Sequence, residues 1–198
     1  MAELLWIVVT YVIGSVPYGL VFGRCFCGID PRFAGSNNVG ATNVARLCGL
    51  KWGIATLVCD ILKGTLPMVV ALWINTDGVF LTFVGMAAVL GHIFSCFMNF
   101  KGGKAVATSI GVMLPVAFCP LLLACSLCML VIWRSGFVSL GSLTLVVLLP
   151  ILLFIFGLWK YIVLSLCIMA LVIWKHSANI QRLICRTEKP WLTRKTAK

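Results

Sequence analysis

Apolar residues run through this sequence in long blocks, and the polar residues are gathered at the seams between them. A bilayer core of about 30 Å takes roughly 20 apolar residues as a helix. Leu4 to Phe22, Gly53 to Trp73 and Val79 to Phe97 each fit that length. Ala105 to Trp133 holds 29 residues without a charge, which as one straight helix would reach about 44 Å. That is too long for one comfortable span and short for two. Pro115 and Pro120 bracket Val116 to Cys119 and place a break there, because proline removes a helical N–H and clashes with the preceding turn. Phe137 to Trp174 divides in the same way at Gly157 to Lys160. The pattern predicts an all-α polytopic membrane protein of about seven transmembrane helices, a single integral membrane domain over 1–198, with the tail after about residue 188 flexible.

Cytoplasmic loops accumulate Lys and Arg, which gives the bundle a direction. With the N-terminus outside, the inner side collects Arg24, Arg32, Arg46, Lys51, Lys101, Lys104, Arg134 and the seven basic residues from Lys175 onward, 14 of the 16 in the chain. Lys160 is left outside and Lys63 lies within the second span. The C-terminus is then cytoplasmic. Glu3 precedes the first apolar run with no basic segment, so that run reads as a retained span and not as a cleaved signal peptide.

Composition sharpens this reading. The chain is 62% hydrophobic and 11% charged, with a mean hydropathy of +1.10, which excludes an ordinary soluble domain. The formal charge of +11 is carried by membrane-boundary loops, so it points to topology and anionic ligands and away from nucleic acid. Only Glu3, Asp30, Asp60, Asp77 and Glu188 are acidic, too few and too scattered for two-metal or paired-carboxylate chemistry. No metal site and no cofactor are expected. The ten cysteines read as small hydrophobes or as thiols facing a reducing cytoplasm.

Polar residues collect in four places near the predicted inner face. The first is Gly35 to Asn43 followed by Arg46, in which Ser36, Asn38, Thr42 and Asn43 supply short donors and Arg46 a fork-shaped cation, a composition suited to phosphate. The second is Asn99 to Lys104, in which Gly102 and Gly103 let backbone amides turn toward a ligand and Lys104 adds a charge before a helix N-terminus. The P-loop spacing is absent, so nucleotide hydrolysis is not supported. Ser139 to Ser142 and His176 to Asn179 are the third and fourth. His92 reads as packing at a membrane edge, and neither histidine has an acid four residues on. Asp60 and Lys63, at i and i+3 inside the second span, read as a structural ion pair.

Five of these stretches, in this order, resemble the bacterial acyl-phosphate glycerol-3-phosphate acyltransferase (PlsY) family. They are GSNNVGATN with Arg46, Asp60 to Gly64, Gly91 to Phe94 leading to FKGGKAVATS, VSLGS ending at Ser142, and His176-x-x-Asn179 with Arg182, Leu183, Thr187 and Glu188. The resemblance implies a seven-helix enzyme of the bacterial inner membrane, its active site facing the cytoplasm. It would move a fatty acyl group from acyl phosphate to the 1-hydroxyl of sn-glycerol 3-phosphate, in coupling with an enzyme that produces acyl phosphate. It places Ser36, Thr42 and Arg46 in a first active-site loop and Lys104 with its glycines in a phosphate-binding loop. Ser142, His176 and Asn179 complete the site, and Glu188 is structural. Asn37 and Ala105 stand where the family usually has Gly, Ser95 where it has Pro, and Ser177 and Ala178 where it has an acidic and a basic residue. The backbone at Asn37 is therefore expected to need a conformation that Asn tolerates less freely than Gly.

The residues alone leave two mechanisms open, direct transfer in which the donor phosphate takes the hydroxyl proton, and a role for Ser36 as nucleophile or orienting donor. Other classes fit less well. A transporter of organic phosphates would need binding chemistry at both faces, and a lipid-head-group phosphotransferase would need a carboxylate cluster.

Overall fold

The computed structural model describes residues 1–191. Among these residues ten α-helices follow one another with two short 3-10 turns: α1 (Ala2–Ser15), α2 (Tyr18–Cys27), α3 (Ala41–Cys48), α4 (Leu50–Ile74), α5 (Gly78–Ile93), α6 (Val106–Met113), α7 (Phe118–Ser135), α8 (Val138–Ile155), α9 (Ile162–Lys175) and α10 (Ser177–Ile184). No strand occurs among the described residues. The expected breaks are present, with Leu114 to Ala117 parting α6 from α7 and a 3-10 turn at Trp159–Tyr161 parting α8 from α9. A further interruption falls at Val16 and Pro17, between α1 and α2, within what the apolar pattern gives as one span.

Among the described residues five helices are long and apolar enough to cross a membrane: Ala2–Cys27 taken through its interruption, α4, Gly78–Met98, α7 and α8. Trp159–Lys175 and Ser177–Ile184 make a sixth if the 62° bend between them is part of one span. The expected pair of short spans between Ala105 and Trp133 resolves unequally. α6 has only 8 residues, about 12 Å at 1.5 Å per residue, which is under half a bilayer core.

With no water inside a bilayer to drive apolar burial, membrane helices associate through close backbone packing at small residues. The Gly91 α-carbon in α5 abuts the Tyr11 carbonyl of α1, and Gly14 of α1 abuts Ala88 of α5. In the same way Gly64 of α4 and Gly111 of α6 each face the other helix's backbone, so a β-carbon at any of the four would collide. α5 therefore sits at the centre of the bundle, with Leu81, Val84, Ala88, Val89 and Ile93 essentially fully buried. Leu145, Leu149 and Leu153 of α8 and Leu164 and Ile168 of α9 complete the core. Phe83, Phe154 and Leu122 are among the apolar side chains left exposed on the outside, the surface a lipid-solvated bundle presents.

The two ends differ in charge. At one end Asn75 Nδ2 donates to Glu3 Oε1 (2.7 Å), Asp77 caps α5 by accepting from Val79 and Phe80, and the Lys160 side chain lies against Gly78. The loops joining α2 to α3 and α5 to α6, together with α10 and the segment after it, carry most of the remaining charge. Within the tail expected to be flexible, Trp191 N–H donates to Gly136 O at 2.7 Å. Residues 192–198, with Arg194, Lys195 and Lys198, lie outside the described residues.

Candidate functional site

The loop from Gly28 to Gly40 has little regular structure, and side chains fix its course. Asp30 accepts from the Arg32 backbone N–H (3.0 Å), from Arg32 Nη2 and from Arg24 Nη2, both at 2.7 Å. The Arg32 and Arg24 guanidinium groups hold its carboxyl well below the usual range. Asn43, on the buried face of α3, is the second fastening. Its Oδ1 accepts from Ser36 N–H (2.8 Å) and its Nδ2 donates to Pro31 O, Ala34 O and Asn38 O at 3.1, 3.0 and 2.8 Å. Asn38 Oδ1 accepts from Gly40 N–H. Asn37 has φ +53, the left-handed conformation expected at a position where Gly is usual. The loop thus turns Ser36, Asn38, Thr42 and Arg46 toward one cavity.

That cavity has a volume of about 370 Å³, within the range of roughly 300 to 1,000 Å³ typical of small-molecule sites. Ser36, Asn38, Thr42, Asn43, Arg46, Lys104, Ser142, His176 and Asn179 all line it. Four separate polar segments of the sequence meet here. Val106, Ala107 and Val138 form an apolar side. Glu188 is the lone acid in the wall, against Arg46, Lys104, Arg182 and Lys189.

Lys104 Nζ donates to Asn179 Oδ1. Asn179 Nδ2 donates to Glu188 Oε1 (2.6 Å), which also accepts from Ser139 Oγ (2.7 Å), while Arg182 Nε donates to Glu188 Oε2 (2.6 Å). This fixes which way Asn179 faces, so that its carbonyl oxygen meets the ammonium. Burial, with Arg182, Lys175 and Arg46 nearby and only Glu188 opposing them, brings the Lys104 ammonium down to about 8. Burial alone would raise the Glu188 carboxyl, but the hydrogen bonds from Ser139, Arg182 and Asn179 hold it below its ordinary value. Arg46 is held loosely, with Nη2 3.4 Å from Pro190 O and its guanidinium 5.9 Å from the Trp191 ring centre. Among the described residues, the hydroxyls of Ser36 and Thr42 make no hydrogen bond. Ser142 Oγ donates back to Val138 O, leaving its lone pairs toward the cavity.

His176 lies in the break between α9 and α10, 2% exposed. Its Nδ1 is 2.8 Å from Val172 O. A carbonyl can only accept, so in the neutral ring the hydrogen sits on Nδ1 and Nε2 is an acceptor.

Two expectations are corrected. The amides of Gly102 and Gly103 do not turn toward a ligand; they donate to Ile93 O (2.9 Å) and His92 O (3.1 Å), and neither glycine lines the cavity. Asn43 spends its hydrogen-bonding groups on the loop backbone and is a fastening, not a ligand. His92 has no acid four residues on, but Asp60 Oδ1 from another helix lies 3.8 Å from its Nδ1. Asp60 is nevertheless paired with Lys63 at 2.8 Å, as expected. Asn37, His92, Ser139, Arg182 and Lys189 also line the cavity without having been singled out as ligands. A signal for the Glu188 cluster exists in the sequence, a lone acid in an otherwise basic tail. Among the described residues no group of three or more His, Cys, Asp or Glu is arranged to hold a metal ion.

The glycerol-3-phosphate acyltransferase family profile matches residues 4–186. A relative from Desulfovibrio desulfuricans named glycerol-3-phosphate acyltransferase is 62% identical over 98% of this chain and 87% of its own. A crystal structure of PlsY, an integral membrane glycerol 3-phosphate acyltransferase, in its glycerol 3-phosphate form is 36% identical and superposes with a TM-score of 0.93 over 96% of both chains. Its lysophosphatidic acid form is 35% identical, with a TM-score of 0.90 over 96% of this chain and 95% of the other.

Proposed function

We propose that this chain, which belongs to the glycerol-3-phosphate acyltransferase family, transfers a fatty acyl group from acyl phosphate to the 1-hydroxyl of sn-glycerol 3-phosphate. The products are 1-acyl-sn-glycerol 3-phosphate and inorganic phosphate. The observation that carries the reading is the cavity itself. Arg46, Lys104, Arg182 and Lys189 face it with one acid among them, beside the uncommitted hydroxyls of Ser36 and Thr42 and next to an apolar wall of Val106, Ala107 and Val138. Both substrates carry a phosphate and one carries an alkyl chain, so a cationic cavity at the edge of a lipid-solvated bundle suits the pair.

In this reading Lys104, its ammonium aimed by Asn179, and Arg46 neutralise the two phosphates, while Ser36, Asn38, Thr42 and Ser142 orient them. His176 Nε2 accepts a hydrogen bond from the acceptor's glycerol moiety. The hydroxyl oxygen attacks the acyl carbon, a C–O ester bond forms, and the bond between the acyl carbon and the bridging oxygen breaks, that oxygen leaving with the phosphate. The proton passes to the departing phosphate. Two observations favour this direct route over a protein relay. His176 Nδ1 bonds a backbone carbonyl and not a carboxylate, so no acid stabilises an imidazolium as in a triad. Ser36 Oγ has no base within hydrogen-bond reach among the described residues. The electrostatic work falls to preorganised cations and donors.

The concentration of Lys and Arg at the cavity end supports a cytoplasmic active site with the N-terminus outside, in a bacterial inner membrane. Acyl phosphate is a reactive mixed anhydride, so supply by a neighbouring acyl-phosphate-producing enzyme is part of the proposal. The test is purified protein in detergent given acyl phosphate and glycerol 3-phosphate, with chelator present and no CoA. Formation of lysophosphatidic acid with one phosphate released per turnover supports the reading. Absence of product, or product only when acyl-CoA replaces acyl phosphate, overturns it.

A further inference from the structure

One buried side chain joins the centre of the bundle to the phosphate-facing loop without a part in the transfer just described. His92 closes α5, 6% exposed. Its carbonyl accepts from Gly103 N–H at 3.1 Å, and the carbonyl of Ile93 accepts from Gly102 N–H at 2.9 Å. The α-carbon of Gly103 lies so close to His92 Nε2 that any β-carbon would strike the ring. Past Lys104 the chain turns through Ala105, with φ +60, into the first turn of α6, where Thr108 Oγ1 lies 3.1 Å from His92 Nδ1. The loop is therefore tied to His92 on both sides of Lys104, by backbone before it and by the ring after it.

A buried charge pair lies behind the ring. Asp60 Oδ1 is 3.8 Å from Nδ1 and 2.8 Å from Lys63 Nζ, and Lys63 Nζ also donates to Val16 O at 2.9 Å. A cavity of about 10 Å³, lined by Asp60, Lys63, His92, Tyr18 and Ser95 among others, separates these groups. That is at the lower limit of room for one water. Asp60, Lys63, His92 and Thr108 are each under 7% exposed, so a conformational change in any of them must displace packed neighbours.

We propose that His92 is a positioning residue for Lys104: the ring, packed in front of the buried Asp60–Lys63 pair, and the His92 carbonyl hold the loop that aims the ammonium into the phosphate cavity. The proposal rests on the reading of that cavity as a phosphate site. It assigns a role to an intramembrane charge pair 41 positions away in sequence from the lysine it serves, counted from Lys63 to Lys104. It also explains why Gly is needed at 103, where ring and backbone meet.

The test uses His92→Ala, His92→Gln, Thr108→Val and His92→Ala/Lys104→Ala in the purified full chain. Three readouts are followed: KM for each substrate apart from kcat, inorganic phosphate binding by calorimetry, and the pH dependence of both from 6 to 10. Misplacing a reacting or binding group by about 1 Å can cost about a hundredfold, so His92→Ala should weaken binding of at least one phosphate tenfold or more. With the loop freed, the pH at which binding fails should rise above about 8, as Lys104 moves toward solvent and away from Arg46, Lys175, Arg182, His176 and Glu188. Thr108→Val should shift both readouts in the same direction by less, and His92→Gln, which keeps a polar group near Thr108, should recover most of the loss. In the Lys104→Ala background the His92→Ala change should cost less than twofold. Unchanged phosphate binding and pH midpoint in His92→Ala, or full multiplication of the two losses in the double variant, overturns the proposal. Should His92→Ala fail to fold, Thr108→Val decides by the same criteria, unchanged phosphate binding and pH midpoint in it overturning the proposal. A parent protein that binds phosphate but forms no lysophosphatidic acid would refute the transfer reaction, and the binding arm would still decide the role of His92.

Discussion

Raising the pH should switch off phosphate binding through one lysine. Lys104 is brought down to about 8 by burial and by Arg182, Lys175 and Arg46, against the opposing charge of Glu188. A phosphate needs it charged. With that value the ammonium is about nine-tenths populated at pH 7 and about one-tenth at pH 9, which weakens binding about tenfold, or roughly 1.4 kcal/mol. The direction follows from a cation whose free-state value is depressed and which the bound anion raises: affinity is full well below pH 8 and falls as pH rises through it, because binding must then take up a proton. The ligand does not confuse the measurement, since phosphate monoesters lose their second proton near pH 6. The assay is KM for glycerol 3-phosphate and for acyl phosphate between pH 6.5 and 9.5, repeated on Lys104→Arg, whose guanidinium stays charged. The parent should show a limb near pH 8 in at least one substrate, and Lys104→Arg should show weaker binding with no limb. A flat profile in the parent, or the same limb in Lys104→Arg, would refute the assignment of Lys104 to a phosphate.

Glu188→Gln removes the carboxylate that opposes the cations around Lys104 and sets the amide of Asn179; the alkaline limb should move to lower pH and KM rise by about tenfold, the scale of a charge-assisted hydrogen bond, measured in the same assay. Asn43→Ala strands Ser36 N–H and three carbonyls; at about 1 to 3 kcal/mol per stranded group, partly offset by water, it should destabilise the 31–43 loop by about 2 to 4 kcal/mol, read as faster amide exchange there. Trp191→Ala removes the ring 5.9 Å from the Arg46 guanidinium, a contact worth about 0.5 to 1 kcal/mol at an exposed site; releasing Arg46 should tighten inorganic phosphate binding two- to fivefold by calorimetry, and weaker binding would mean that the ring helps to aim it.

Much of this was legible in the sequence because membrane burial is local and periodic. Apolar length marks the spans, and Pro115, Pro120 and Gly157 mark two of the interruptions. Asn37 shows how far turn chemistry reaches, since a position where Gly is usual does adopt positive φ. Pro17 leaves no mark in the apolar pattern, because it ends one helix and begins the next within a single apolar run. The polar residues were found, but their division of labour was not. Asn43 and Ser36 lie seven residues apart in one polar stretch and look alike in sequence, yet the Asn43 amide is consumed by backbone groups and the Ser36 hydroxyl is free. The amides of Gly102 and Gly103 are taken by the end of α5, a contact between segments that no local pattern records. His92 and Asp60 are 32 residues apart, and only the packing of α4 against α5 brings them together.

The central claim is that two phosphates are held in one cationic cavity and the acyl group passes directly between substrates. Purified protein mixed with radiolabelled acyl phosphate alone, quenched in acid and analysed by intact mass and peptide mapping, tests it most directly. The account predicts no label on the protein and prompt appearance of the label in lysophosphatidic acid once glycerol 3-phosphate is added. A stoichiometric acyl group on Ser36 that is passed on to glycerol 3-phosphate would contradict it.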